Sequence, residues 1–244
     1  MRLLRASGRA ARVLAHMVGG LGTILFRFPS LKQAQRDLQV QAWATEMLAR
    51  LGVRMVVYGT PPVAGPVLLV SNHISWLDIL VLHAARHCRF VSKSDVRQWP
   101  LIGRLATGAG TLYVERRSRR DAMRVVHVMA QALRDGEILA IFPEGTTGDG
   151  GVLLPFHANL LQAAISTNVP IQPIALRFVD ALGQVTQAAS YMGDESLAGS
   201  LWRTLCTPGV VAHVRFGTAQ WAQGRDRRGW ALDLWCEVDR LRKS

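Results

Sequence analysis

Pro66-Val-Leu-Leu-Val-Ser-Asn-His-Ile-Ser-Trp-Leu-Asp78 joins an unbroken apolar run to a histidine and a carboxylate five positions apart. Val67 to Val70, set between Pro66 and the polar Ser71 and Asn72, read as a strand buried on both faces, the kind found where helices cover a parallel sheet. Further short strand-like segments, each largely apolar, follow at residues 54–58, 89–92, 111–114, 138–142, 171–178 and 210–216, with helical stretches between them. This alternation predicts an α/β fold: a central, largely parallel or mixed sheet with helices on both faces. Residues 31–51 read as a helix ended by Gly52. Residues 118–134 read as another, with Met123, Val126, Met129, Ala130 and Leu133 at helical spacing assigned to the core, and Gly136 closing it.

Working outward, 244 residues with 49% apolar composition suffice for one substantial core. Cys88, Cys206 and Cys236 are odd in number and lack metal-ligand spacing, so they read as reduced packing residues rather than as a disulfide framework or a metal site. The net charge of +12 suits an anionic lipid surface, nucleic acid or an acidic carrier protein. Nucleic acid is disfavoured, because no zinc-finger spacing or aromatic-laced RNA-binding signature accompanies the charge.

The N-terminus favours a membrane. Arg2, Arg5, Arg9 and Arg12 lead into an apolar run over residues 13–28, broken by His16, Gly19, Gly20, Gly22 and Arg27. This run falls short of the ~20 mostly apolar residues that cross a bilayer, and Phe26-Arg-Phe-Pro-Ser30 lacks a small-residue cleavage site. The expectation is an interfacial helical segment over residues 1–52, monotopic or peripheral on the cytoplasmic face, ahead of a domain over residues 53–244. A helix packed on the domain core is the alternative reading of that segment.

In open α/β sheets, ligands sit beyond the carboxyl ends of the strands. Asn72 and His73 lie at one such end and Glu144, in Ile141-Phe-Pro-Glu-Gly-Thr-Thr147, at another. Residues five apart on a helix point about 140° from each other, so His73 and Asp78 meet only if the chain turns between them and enters a helix near Ser75. An imidazole held by a carboxylate can remove a hydroxyl proton. Alone, the pair also suits a structural histidine. The second stretch presents Glu144 with Gly145, Thr146 and Thr147 as backbone and hydroxyl donors, and alone it also suits an ordinary turn.

Together these stretches resemble the lysophospholipid acyltransferase family, typified by 1-acyl-glycerol-3-phosphate O-acyltransferases. The resemblance rests on Asn72, His73 and Asp78, on Gly110-Thr-Leu-Tyr-Val-Glu-Arg116, on Phe142-Pro-Glu-Gly-Thr146 and on Val169-Pro-Ile-Gln-Pro173, in the family's order over residues 50 to 220. The chain departs from the family pattern at Glu115, a place often held by Asp, and at His157, where many relatives carry Lys; the second departure bears on a phosphate contact. Trp99 and the segment from Phe142 to Gly150 are also similar to relatives that acylate lyso-ornithine lipid.

The resemblance implies a base, His73, oriented by Asp78, that activates the free hydroxyl of a lysolipid toward the carbonyl of an acyl-CoA or acyl-carrier-protein thioester. No cofactor and no metal are implied. Substrate contacts then fall to Lys93, Arg116, Glu144, Gly145 and Thr146: Lys93 for an oxyanion or a phosphate, Arg116 for an acceptor phosphate through its planar fork. Cys88 has no assigned base and is not expected to serve as a nucleophile. A hydrolase using the same His and Asp is the reading of another class, though the chain has no Gly-x-Ser-x-Gly elbow; a membrane-bound scaffold without catalysis would leave four polar motifs at strand ends unexplained.

Overall fold

The computed structural model of the chain describes residues 2–115 and 119–244. Helix α1 (Arg2–Gly22) continues through a π turn (Thr23–Arg27) and a 3-10 turn (Phe28–Ser30) toward α2 (Gln33–Leu51). α2 stops at Gly52, which adopts φ 79°, a left-handed conformation that glycine takes without a Cβ clash. Then come β1 (Val53–Tyr58), β2 (Val67–Ser71), α3 (Leu77–Ala85), β3 (Arg89–Lys93), α4 (Ile102–Gly108), β4 (Leu112–Val114), α5 (Arg119–Arg134) and β5 (Ile138–Ile141). The chain closes with α6 (Gln162–Thr167), β6 (Ile171–Val179), α7 (Leu197–Cys206), β7 (Val210–Phe216) and α8 (Arg227–Lys243). Each strand expected from the apolar runs forms, with its ends shifted by no more than a residue or so.

The seven strands make one mixed sheet in the order β1-β7-β6-β2-β5-β3-β4. From β6 to β4 the neighbours are parallel. β7 runs antiparallel to β6, and β1 pairs only with β7, Val53 beside Val210 through Tyr58 beside Arg215. On one face Leu69, Ile174 and Val214 share a core with Leu48 and Leu51 of α2, Leu77 and Leu82 of α3, and Ala6 and Val13 of α1. On the other, Leu68, Val70, Leu139 and Ile141 meet Met129 and Leu133 of α5 and Trp230 of α8. Each such buried aliphatic side chain contributes about 1.5–3 kcal/mol relative to exposure.

Some expectations change. On α5, Met123 is exposed while Val125, Met129, Ala132 and Leu133 are buried: the face toward the sheet falls one position from the one assigned at the start of the helix, so Met123 points outward. Of the cysteines, Cys88 is buried, Cys206 is half-buried against the core and Cys236 is exposed on α8, which is not a packing position. Val169-Pro-Ile-Gln-Pro173 leads into β6, which lies beside β2 with Ile171 next to Leu68 and Pro173 next to Val70. There the buried Gln172 amide donates to the carbonyls of Thr60 and Gly217, at 3.0 and 2.8 Å, so this residue of the motif fastens strand ends.

The N-terminal pair belongs to the same hydrophobic cluster as the sheet. His16 of α1 stacks on Trp43 of α2, with ring centroids 5.1 Å apart, and the Trp43 indole N–H donates to the His16 carbonyl at 3.2 Å. A Cβ on Gly20 would stand 2.6 Å from the Trp43 Nε1, so glycine is what lets the helices close. The other side of α1 presents Leu14 and Val18, followed by Leu25 and Phe26 in the π turn, all exposed. The helical run Leu4–Ser30, 27 residues, is long and apolar enough by length and composition to cross a membrane, contrary to the shorter run expected from its glycines and charges, because helical backbone continues through all of them.

Candidate active site

β2 ends at Ser71, and the next residue continues its work with a side chain. The Asn72 amide donates to the Leu176 carbonyl at 3.0 Å and its oxygen accepts the Leu176 N–H at 2.7 Å, so a buried carboxamide replaces the ladder where the strand departs. The chain then turns through His73 to Ser75, and Asp78 in the first turn of α3 draws the turn together. Its Oδ2 accepts the N–H groups of Ile74 (2.6 Å) and Ser75 (2.9 Å) and lies 2.8 Å from His73 Nδ1. The expected turn near Ser75 thus forms, and the pair meets.

Asp78 is fully buried, and the oxygen that accepts the Ile74 and Ser75 N–H groups is an acceptor toward the ring as well. His73 Nδ1 therefore carries the proton and donates it, which leaves Nε2 as the acceptor. No described residue hydrogen-bonds Nε2. Asp78 Oδ1 is buried with no partner among the described residues, a stability cost that packing alone does not explain. The Phe142 ring lies parallel to the imidazole, centroids 3.9 Å apart and planes 8° apart, and Phe90 stacks behind it at 5.7 Å.

Glu144 departs from its expected use. Its Oε1 accepts the His73 N–H at 2.7 Å and its Oε2 the Leu154 N–H at 2.8 Å. Both oxygens serve main chain, so the carboxylate braces the histidine loop against the segment after β5. Burial pushes the Glu144 carboxyl above its ordinary value of 4.5, against the opposing pull of the Leu154 and His73 N–H groups. A further bond, from the Gly148 N–H to the His73 carbonyl at 2.8 Å, closes the brace.

The remaining expected residues are less tied. Gly145 adopts φ +74°, and a Cβ there would meet the His157 ring at 3.0 Å. Thr146 is exposed, as is Lys93 at the end of β3, on the same edge of the sheet as His73, and neither side chain forms a hydrogen bond or ion pair among the described residues. Arg116 lies outside the described residues. Cys88 is buried at 1% exposure, and burial pushes its thiol far above its ordinary value, which removes it as a nucleophile. Among the described residues, no group of three or more His, Cys, Asp and Glu side chains is placed to hold a metal. Two contributions were not assigned from sequence: Phe142, named there only as part of the Phe142-Pro-Glu-Gly-Thr146 motif, stacks on His73, and Asn72 acts as an anchor whose partner is more than a hundred residues away.

The chain is similar to known proteins. A family model described as Acyltransferase matches residues 53–177. A 1-acyl-sn-glycerol-3-phosphate acyltransferase of Neisseria gonorrhoeae is 35% identical over 195 residues, 79% of this chain and 76% of that one. A lyso-ornithine lipid O-acyltransferase of Pseudomonas aeruginosa is 35% identical over 233 residues, 93% of this chain and 89% of that one. The crystal structure of the 1-acyl-sn-glycerophosphate acyltransferase PlsC from Thermotoga maritima aligns over 98% of this chain and 97% of its own, with TM-score 0.68 and 18% identity, a likeness of fold.

Proposed function

We propose, from the premise that this chain belongs to the acyltransferase family, that His73 is the base for O-acylation of a lysolipid. The observation that carries the assignment is the His73–Asp78 contact of 2.8 Å with the opposite ring nitrogen free at the carboxyl edge of the sheet. Nε2 takes the proton of the acceptor hydroxyl as its oxygen bonds to the thioester carbonyl carbon. The tetrahedral oxyanion then collapses, the carbon–sulfur bond breaks, and the imidazolium returns its proton to the leaving thiolate. Asp78 stabilises the imidazolium between these transfers. Lys93 is the described cation on the same edge, suited to the oxyanion or to a phosphate. Glu144, Gly145 and Thr146 line the neighbouring loop, with Glu144 acting through the His73 main chain.

The acceptor we favour is 1-acyl-glycerol-3-phosphate, giving phosphatidic acid, with Arg116 on the phosphate. A second reading, lyso-ornithine lipid, is supported by the match that spans 93% of this chain. The donor is acyl-CoA or an acyl-carrier protein. We place the enzyme on the cytoplasmic face of the membrane, lying on it by the exposed side of α1. Purified enzyme with labelled acyl thioester and a panel of lysolipids tests the reading. Ester formation on lysophosphatidate is expected; free fatty acid without ester would make the protein a hydrolase.

A further inference from the structure

Three arginines share one uncovered part of the sheet. Strand alternation and register place Arg54 and Tyr58 of β1, His213 and Arg215 of β7 and Arg177 of β6 on the face away from α1 and α2, with Arg177 beside His213 and Tyr58 beside Arg215. α8 packs on this face at β6, where Val238 and Leu241 meet Ala175, and Val179 and Val211 on the same face are buried, while Arg54 and Tyr58 are exposed. The Arg215 guanidinium lies 4.0 Å over the Tyr58 ring and donates to the Ser244 carbonyl at 2.9 Å. Among the described residues, Arg54 and Arg177 form no hydrogen bond or ion pair. Burial, and then the charges of Arg215, Arg177 and Arg54, hold the His213 imidazole below its ordinary value of 6.5. The neighbouring charges acting on it are thus all positive, and an anionic partner would relieve their repulsion.

The shape and position of the face narrow the partner. Three strands give a surface roughly 10 Å across at about 4.8 Å per strand, wide enough for a macromolecule and without the walls of a small-molecule pocket. α1 and α2 pack on the opposite face of the sheet, so the sheet stands between a bilayer that meets Leu14 and Phe26 and the side that carries Arg54 and Arg177. The partner therefore comes from water. β6 also connects this face to the site, because Leu176, next to Arg177, holds the Asn72 side chain.

We propose that this face docks an acidic carrier protein bearing the acyl thioester, whose arm passes over the end of β6 to His73. The proposal rests on the reading of the reaction as acyl transfer from a thioester. Its test compares the full-length enzyme with the double variant Arg54→Gln/Arg177→Gln, using one lysolipid and two donors of equal chain length, an acyl-carrier-protein thioester and acyl-CoA. The KM for the carrier thioester should rise roughly tenfold in the variant with kcat and acyl-CoA kinetics unchanged, and added salt should raise the wild-type KM for the carrier alone. Unacylated carrier protein should compete with its own thioester on the unaltered enzyme at low salt, a check that needs no substitution. An unchanged carrier KM, an equal change for both donors, or use of acyl-CoA with refusal of the carrier thioester would overturn the docking. So would loss of anionic-vesicle binding by the variant, which would give this face to the membrane. Absence of transfer from either thioester to any lysolipid would instead overturn the reading of the reaction, and the docking with it.

Discussion

At the scale of single residues, the site divides into groups that do chemistry and groups that hold them. His73→Ala removes the base but leaves Asp78 two main-chain donors, so the variant should fold while kcat falls about 10²–10⁴-fold; steady-state kinetics beside a thermal melt separates the two effects. Asp78→Asn should lose both rate and stability, since an amide presents N–H groups where the turn needs an acceptor. Glu144 predicts a pH effect. Its carboxyl is raised in the folded state above the ordinary 4.5, so the fold binds its proton more tightly than the unfolded chain does. The stability this proton supplies is complete below about pH 4.5 and is lost as pH rises through the folded value. Glu144→Gln should flatten that slope in melts followed across pH while lowering kcat, because one of the two braced N–H groups loses its acceptor. The His73–Asp78 pair was legible because its spacing implies a turn that only one local geometry satisfies. The part played by Glu144 was not: its partners at His73 and Leu154 depend on which strands become neighbours, and nothing local encodes that.

Elements were legible where apolar runs are short and bounded, and less so where a helix is only partly covered. α5 shows the limit: helical spacing identified the helix, yet the face it buries depends on where the sheet ends, and Met123 falls outside. α1 shows another. Its glycines looked like interruptions, but one of them is a contact. Gly20→Val would drive a side chain into Trp43, whereas Gly19 has nothing within 4 Å of a Cβ. Gly20→Val should therefore destabilise the α1–α2 pair by about 1–3 kcal/mol and expose residues 1–30 to limited proteolysis, with Gly19→Val as the silent comparison. Equal protease sensitivity in the two variants would mean that the helices are not held by this approach.

For the whole molecule, the N-terminal helix is both core and surface. Ala6, Val13 and Phe28 are buried, so deleting residues 1–30 would uncover apolar core and confuse misfolding with loss of a membrane anchor. Replacing only the outward residues avoids this: Leu14→Ser, Val18→Ser, Leu25→Ser and Phe26→Ser together should leave the melt unchanged. Vesicle binding should weaken by several kcal/mol, at about 1.5–3 kcal/mol for each large side chain withdrawn from water. Flotation with vesicles measures it, and undiminished flotation would move the membrane contact elsewhere. The sheet has a consequence in time as well as in space. Among the described residues β1 has no neighbour but β7, so on the ribosome the strand made just after α2 waits for the last strand of the sheet. α1 and α2 can form early, yet Asn72 has no Leu176 to hold until β6 emerges, and the edge offered by β1 stays open longer still. A nascent chain would thus hold its two N-terminal helices before the turn at His73 is anchored, and a prematurely terminated one would carry an unpaired strand for chaperones and proteases to find.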